Sequence, residues 1–247
     1  EVITADLVLV ASGVAPDWFA QLGISVLERP TPNTALVFNA SFPGQQSGRA
    51  FERFTENGPL AVLPLQTLSH ADQRYNVVWS VSNSTATTLG DLDDEAFRNH
   101  FQDAFGWRLG RVQAVGRRSQ WPLTRLSASE QFRAGFLLVG NAAHTLHPVA
   151  GQGLNLSLRE AGLLAQAIAD AQQRSAAIGC LASLKTYLDQ VSDEQRLVVD
   201  STDALAILFN RRGPLLDVPR DASLALLDLL PAIRQQVASV GTGRRYA

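Results

Sequence analysis

The sequence predicts an α/β (α+β) fold, in which an antiparallel-sheet domain interrupts an α/β domain and C-terminal helices follow. Three observations predict it: two continuous apolar runs far apart in the chain, a set of short β-rich segments between them, and long helical patterns after the second run. We place the boundaries of the four segments at 1–25, 26–120, 121–190 and 191–247. The first and third would form one partial domain, and the second would be the insertion.

Composition supports a packed protein of one or two domains. The chain has 247 residues, of which 46% are hydrophobic and 18% are charged, and its formal net charge is −2. Without an excess of basic side chains, nucleic acid is not an expected partner. No apolar run is long enough to predict a membrane span. The single cysteine, Cys180, favours a reducing compartment, and we therefore expect a cytoplasmic location.

The first apolar run, 5–13, ends in small residues and is typical of a strand buried on both faces. Short strands are then predicted at 34–40, 50–55, 60–65 and 76–82, because turn clusters separate these segments. The acidic residues 91 and 93–95 precede apolar positions at helical spacing, and Gly106 ends that pattern. This predicts a helix of about three turns, which begins at these carboxylates.

A second apolar run, 136–140, predicts another buried strand. A turn-rich segment follows it, and a largely apolar helical pattern, which indicates a buried helix, extends over 154–173. The last seventy or so residues are also predicted to be helical, with breaks at the Gly213-Pro214 pair, Pro219 and Pro231.

The segment 137–162 is the strongest candidate for a site. Its strand leads through small residues and a proline-containing loop to Gly151-Gln152-Gly153, which opens a helix. A helix start with exposed amides and a positive dipole end can bind an anion without a basic side chain. The spacing does not match G-x-G-x-x-G, because Leu156 holds the third glycine position. From spacing alone, an anion or dinucleotide site and an ordinary glycine loop both remain open.

The same segment resembles the second flavin-binding signature of the class A FAD-dependent aromatic hydroxylases, which share the para-hydroxybenzoate hydroxylase fold. The resemblance rests on Gly140-Asn141-Ala142-Ala143-His144, His147-Pro148 and Ala150-Gly151-Gln152-Gly153-Leu154-Asn155-Leu156. It implies that Asn141 holds the ribityl chain of FAD and that the amides of Gly151–Leu154 face N1 and O2 of the flavin. The cofactor-binding residues implied in this way are Gly140, Asn141, Ala142, Pro148, Gly151, Gln152, Gly153, Leu154 and Asn155.

Segments 48–61 and 104–123 resemble the ubiquinone-biosynthesis branch of this family. The asparagine at 141 is similar to the subfamily that hydroxylates 2-polyprenyl-6-methoxyphenol. The resemblance implies a flavin that NAD(P)H reduces and that uses O₂ to hydroxylate the ring of a polyprenylated phenol. It also implies membership of a ubiquinone-biosynthesis complex and peripheral contact with the inner membrane. This chemistry needs no nucleophilic side chain, so we name no catalytic residue.

Two departures from the family pattern stand out. The family opens with a G-x-G-x-x-G strand and helix, which this chain does not contain, and its Ala-Asp-Gly signature appears here as Ala11-Ser12-Gly13. The chain also begins with Glu1 and has no methionine, so we expect a C-terminal portion of a longer product. The alternative function is a non-catalytic lipid-binding or assembly module that has lost flavin binding.

Other residues have simpler interpretations. His144 and His147 lack a third ligand at useful spacing, so we predict no metal site and expect these side chains to line or brace the flavin loop. Arg53 is predicted either to reach the flavin or the substrate ring, or to pair with Glu52 or Glu56. The segment 224–233 is expected to be a packing helix, with an apolar surface for a polyprenyl tail or a membrane as the alternative.

Overall fold

The computed structural model describes residues 2–13, 16–44, 48–66, 72–145 and 151–210. It confirms the predicted mixed α/β class, with an antiparallel sheet and several helices. The strands are β1 (Val8–Val10), β2 (Val26–Pro43), β3 (Phe51–Thr55), β4 (Gly58–Pro64), β5 (Asp72–Ser82), β6 (Ala114–Val115), β7 (Ser119–Ala128), β8 (Phe132–Arg133) and β9 (Phe136–Leu138). The helices are α1 (Pro16–Leu22), α2 (Asn83–Asp91), α3 (Asp94–Phe105), α4 (Gln152–Gln173) and α5 (Leu181–Asn210), and a 3-10 turn covers Gly140–Ala142.

The chain divides into two compact units. The first unit contains Glu1–Arg29 together with Thr124–Ala247, and the second unit contains Pro30–Leu123. The chain therefore enters the second unit within β2 and leaves it just before Thr124, within β7.

The first unit is built on a small sheet with the strand order β1-β9-β8. β1 and β9 are parallel, with Val8 opposite Phe136 and Val10 opposite Leu138, so their carboxyl ends meet at the same edge. Behind this sheet, Leu137 packs with side chains of α4 and α5, among them Leu164 and Leu184. The segments that follow β1 and β9 therefore begin at the same edge of the sheet. This edge is where open α/β sheets bind ligands.

The prediction that this strand and the long helix are buried was partly wrong. In β1, Val10 is buried but Leu9 is 45% exposed. On α4, Leu156 is fully buried, whereas Leu154 and Leu158 are 70% and 62% exposed. An apolar pattern indicates which face of a strand or helix can be buried. It does not show whether other described residues cover that face. One side of β1 and one side of α4 therefore remain open in the part of the chain that the structure describes.

The second unit is an antiparallel sheet with the order β3-β4-β5-β2-β6, and β7 pairs with β2. The four short strands predicted here correspond to parts of β2, β3, β4 and β5, with ends that agree to one residue for β3 and within two residues for β4. α3 packs on the sheet through an aromatic core, in which Phe38 meets Phe97 and Phe101 edge-on at centroid distances of 4.9 and 5.1 Å. Burial of these rings and of Trp79 is the main stabilising contribution to this unit.

The ends of α3 confirm most of the helix prediction. The Asp93 carboxylate accepts a hydrogen bond from the Ala96 amide at 2.8 Å, and Gly106 ends the helix with a φ of 83°. Asp91 was wrongly assigned to this helix start, because it closes α2. α2 itself was missed: its threonine-rich sequence has low helix propensity, and the capping bond from Thr85 N to Ser82 Oγ, at 3.1 Å, was not recognised.

Arg53 makes a contact that the sequence did not predict. Its guanidinium donates to the carbonyl oxygen of Phe105, one of the last acceptors of α3. A cation at a helix C-terminus is favourable because it meets both the free carbonyls and the negative dipole end. Arg53 therefore ties β3 to the end of α3.

The Asp93 cap gives a first testable expectation. Asp93→Ala should lower the free energy of unfolding by about 1 kcal/mol, because the Ala96 amide loses its acceptor. Urea unfolding followed by circular dichroism measures the change. Asp93→Asn, which keeps a side-chain oxygen at the cap, should lose much less, and equal losses in the two variants would contradict the capping role.

Several predictions fall outside the described residues. They concern His147, Pro148, the breaks at Gly213-Pro214, Pro219 and Pro231, and the segment 224–233. Within the described ranges, the structure has no helix with the length and apolar character that crossing a membrane demands.

Candidate cofactor site

A cavity of about 820 Å³ lies in the first unit, where the carboxyl ends of β1 and β9 meet the beginning of α4. Its volume falls within the range typical of small-molecule and cofactor sites. Its walls are small or apolar residues with few polar atoms, which suits a large, flat, partly apolar ligand. The lining residues are Leu9, Ala11, Gly13, Val139, Gly140, Asn141, Thr145, Gly153, Leu154, Ser157, Ala161, Leu164, Ala165 and Ile168.

The turn after β9 has a conformation that depends on glycine. Gly140 has a φ of +57°, and its carbonyl oxygen accepts from the amides of Ala143 at 2.9 Å and His144 at 3.1 Å. A Cβ at Gly140 would lie 3.1 Å from Ser157 Oγ of α4, so the turn sits close against that helix. The next residue, Asn141, is exposed and lines the cavity.

The start of α4 carries a glycine at its N-cap. Gly151 occupies this position with a φ of 59°, and it has no side chain that could accept from the first amides of the helix. An ideal Cβ at Gly153 would meet no atom within 4 Å, so a ligand can approach the backbone there. The first amides of a helix lack intrahelical partners and carry the positive end of its dipole, which favours negative charge on a ligand.

The residues predicted for the site are distributed unevenly. Gly140, Asn141, Gly153 and Leu154 line the cavity, and Gly151 and Gln152 begin α4. Ala142, by contrast, is fully buried in a hydrophobic cluster, and Asn155 is exposed but is not part of the lining. Pro148 lies outside the described residues. Contact of any of these residues with a cofactor stays a prediction.

Sequence reasoning missed the long wall of the cavity. It is formed by Ala161, Leu164, Ala165 and Ile168 of α4, which repeat at helical spacing. That spacing was visible, but it was interpreted as core packing. Sequence reasoning also missed Leu9, Ala11 and Gly13 as lining residues. Their strand is parallel to β9, and the segments that follow both strands contribute to the cavity.

A buried polar cluster lies behind the turn. His144 Nε2 is 2.8 Å from Glu160 Oε1, and the Gln195 side-chain amide donates to the same oxygen at 2.7 Å. Burial, and after it the charge of Glu160, raises the pKa of the Tyr187 phenol above its usual value. That His144 lines or braces the flavin loop stays a prediction; the contact seen for its side chain is with Glu160 of α4. Across the described ranges, no three His, Cys, Asp or Glu side chains are grouped to hold a metal ion.

Parallel strands that end at a glycine-rich turn, beside a helix start with glycine at its N-cap, are typical of α/β proteins that bind a nucleotide cofactor at the sheet edge. The chain belongs to the FAD binding domain family, whose sequence pattern matches residues 2–202. The family predicted from the resemblance is therefore confirmed, and it supports FAD as the cofactor.

Two curated relatives are ubiquinone-pathway hydroxylases by name. Ubiquinone hydroxylase UbiL of Rhodospirillum rubrum is 32% identical over 85% of this chain and 48% of its own length. The 3-demethoxyubiquinol 3-hydroxylase of Escherichia coli is 27% identical over 98% of this chain and 61% of its own length. This chain thus spans about half to three fifths of these relatives.

A solved structure supports the fold. The p-nitrophenol 4-monooxygenase PnpA of Pseudomonas putida matches with a TM-score of 0.68 and 15% identity, over 95% of this chain and 59% of that protein. At this identity the match concerns the fold alone. The described architecture is therefore similar in fold to that monooxygenase.

Proposed function

We propose that this chain forms part of the FAD site of an NAD(P)H- and O₂-dependent monooxygenase, which hydroxylates the ring of a polyprenylated phenol. The observation that carries the proposal is the cavity between the Gly140–Ala142 turn and the start of α4, where glycine holds the N-cap, in a chain of the FAD binding domain family. The names of the relatives support a precursor of ubiquinone as the substrate, and we propose 2-polyprenyl-6-methoxyphenol.

The residues present fit a flavin dinucleotide. The open backbone at Gly153 and the small side chains at Ala161 and Ala165 leave room for a wide ring system. Leu164 and Ile168 supply an apolar wall, and Asn141 offers a hydrogen-bonding amide at the rim. We therefore propose that Asn141 holds the ribityl hydroxyls and that Gly140, Gly153 and Leu154, the other predicted residues that line the cavity, lie against the flavin end.

When bound, FAD would supply the redox chemistry that activates O₂. The part of this chain would be electrostatic and steric. The amides at the start of α4, from Gln152 to Leu154, would stabilise negative charge that develops on the pyrimidine side of the ring. The apolar side chains of α4 would keep water away from the ring.

We propose that the second unit, with its antiparallel sheet, is the substrate domain. A polyprenyl tail is apolar, so a cytoplasmic protein that acts on such a substrate would meet it at the inner membrane surface, through peripheral contact. Membership of a ubiquinone-biosynthesis complex belongs to the same proposal. The names of the relatives support this pathway assignment.

The test is the visible spectrum of the protein produced from its complete reading frame. The proposal expects flavin absorption bands after purification or after addition of FAD, and NAD(P)H consumption that a polyprenyl phenol stimulates. A protein that remains colourless with excess FAD contradicts the proposal and favours the lipid-binding or assembly alternative. If the protein shows flavin bands but a polyprenyl phenol does not stimulate NAD(P)H consumption, the proposed FAD site stands and the proposed substrate class is contradicted.

A further inference from the structure

Glu160 is a buried carboxylate to which the proposed chemistry gives no part. Glu160 lies in the middle of α4 and is only 2% exposed. Carboxylates are seldom buried unless hydrogen bonds compensate for lost hydration, and Glu160 has several such bonds. Its Oε1 atom meets His144 Nε2 and the Gln195 amide, and its Oε2 atom accepts from the Gly140 amide at 3.4 Å.

These contacts bracket the turn after β9. Gly140 begins the turn and His144 follows it, so one carboxylate holds the turn at both ends. One helical turn before Glu160, Ser157 lies 3.1 Å from the position that a Gly140 Cβ would take, and its hydroxyl donates to Gly153 O at 3.0 Å. The face of α4 with Ser157 and Glu160 therefore fixes the turn relative to the helix start.

Glu160 is also held from the other side. Gln195 of α5 donates to it, and Gln195 is in turn hydrogen-bonded to Gln131, which precedes β8. Buried hydrogen bonds that share one carboxylate in this way order the side chains that make them. The carboxylate is thus kept in one position by groups that do not line the cavity.

We propose that Glu160 is a positioning residue for FAD, because it sets the spacing between the Gly140–Ala142 turn and the start of α4. These are the two segments whose backbones face the cavity. The inference rests on the proposed function, since it assumes that FAD lies between them. A ligand held from both sides loses affinity when the two sides move relative to each other.

The test uses Glu160→Gln in the protein from the complete reading frame. Glutamine keeps the volume and one acceptor oxygen, so the contacts to His144 and Gln195 can persist, while its NH₂ group cannot accept from the Gly140 amide. We expect the FAD dissociation constant to rise about tenfold, as is typical when a hydrogen bond to a buried charge is lost. Fluorescence titration of the apoprotein measures it.

A matched control is available on the same pair of helices. Arg159 of α4 is ion-paired with Glu194 of α5, and their side chains are 22% and 10% exposed. Glu194→Gln removes that charge by the same substitution. It should lower the free energy of unfolding, because a mostly buried pair is broken, but it should leave the FAD dissociation constant within about twofold of wild type, because this pair joins α4 to α5 rather than to the turn. Thermal unfolding of both apoproteins corrects for any general loss of stability.

Hydrogen exchange provides a readout that needs no cofactor. In apoprotein with Glu160→Gln, the amides of Ala143 and His144, which donate to Gly140 O, should exchange about tenfold faster than in wild type, whereas Glu194→Gln should not change them. Equal FAD affinity and equal exchange in both variants would overturn the positioning role alone. A wild-type protein that binds no FAD would overturn the proposed function and this inference together.

Discussion

Gly58→Ala is expected to lower the free energy of unfolding of the second unit by about 4 kcal/mol or more, enough to prevent stable folding of many domains. Gly58 begins β4 with a φ of +123°, and a Cβ there would lie only 2.1 Å from the carbonyl oxygen of Ser80. Ser80 cannot move away easily, because β5 is hydrogen-bonded to β4 on one side and to β2 on the other. Urea unfolding measures the loss.

Gly48→Ala is the matched control for this substitution. Gly48 also has a positive φ, +66°, but a Cβ there would meet no atom within 4 Å. Gly48→Ala should therefore lower the free energy of unfolding only through backbone strain, by about 1 kcal/mol. If the Gly58→Ala and Gly48→Ala variants unfold at the same urea concentration, the expected clash between a Cβ at position 58 and the Ser80 carbonyl oxygen is contradicted.

Gly153→Leu is expected to abolish FAD binding without destabilising the fold. Nothing in the structure lies within 4 Å of a Cβ at Gly153, and the residue lines the cavity, so the leucine side chain would occupy cofactor space. A non-glycine residue in a helix usually raises stability, here by up to about 1 kcal/mol. We expect the FAD dissociation constant to rise by about a hundredfold or more, since the overlap cannot be relieved within a helix.

Gly162→Leu separates the two effects. Gly162 lies on the same helix, also has no atom within 4 Å of an ideal Cβ, and is not part of the cavity lining. It should gain the same helix propensity and bind FAD like wild type. FAD titration of the Gly153→Leu and Gly162→Leu variants tests where the cofactor binds. Similar FAD affinities in the two variants would contradict the placement of FAD in this cavity.

The sequence predicted features that depend on neighbouring residues. Asp93 and Gly106 marked the two ends of α3, because capping and left-handed termination are decided within one helical turn. The strand–turn–helix order around Gly140 and Gly151 was likewise apparent from small residues at fixed spacing. Both are local signals, and the structure contains the elements that they predicted.

Features set by distant contacts were not predictable in this way. β7 was missed, because Pro122 interrupts the strand pattern and only pairing with β2 reveals it. The partnership of His144 with Glu160 joins residues from two elements, and nothing in the sequence between them specifies it. The exposure of Leu158 depends on what covers α4, which periodicity cannot state.

The most direct test of the proposed function is a hydroxylation assay with isotopically heavy O₂. The protein from the complete reading frame, loaded with FAD, would be incubated with NAD(P)H and 2-polyprenyl-6-methoxyphenol, and the product analysed by mass spectrometry. We predict one heavy oxygen atom on the aromatic ring of each product molecule, and no such product from the Gly153→Leu variant. Flavin-loaded protein that oxidises NAD(P)H but leaves the ring unlabelled would contradict the proposed monooxygenase function.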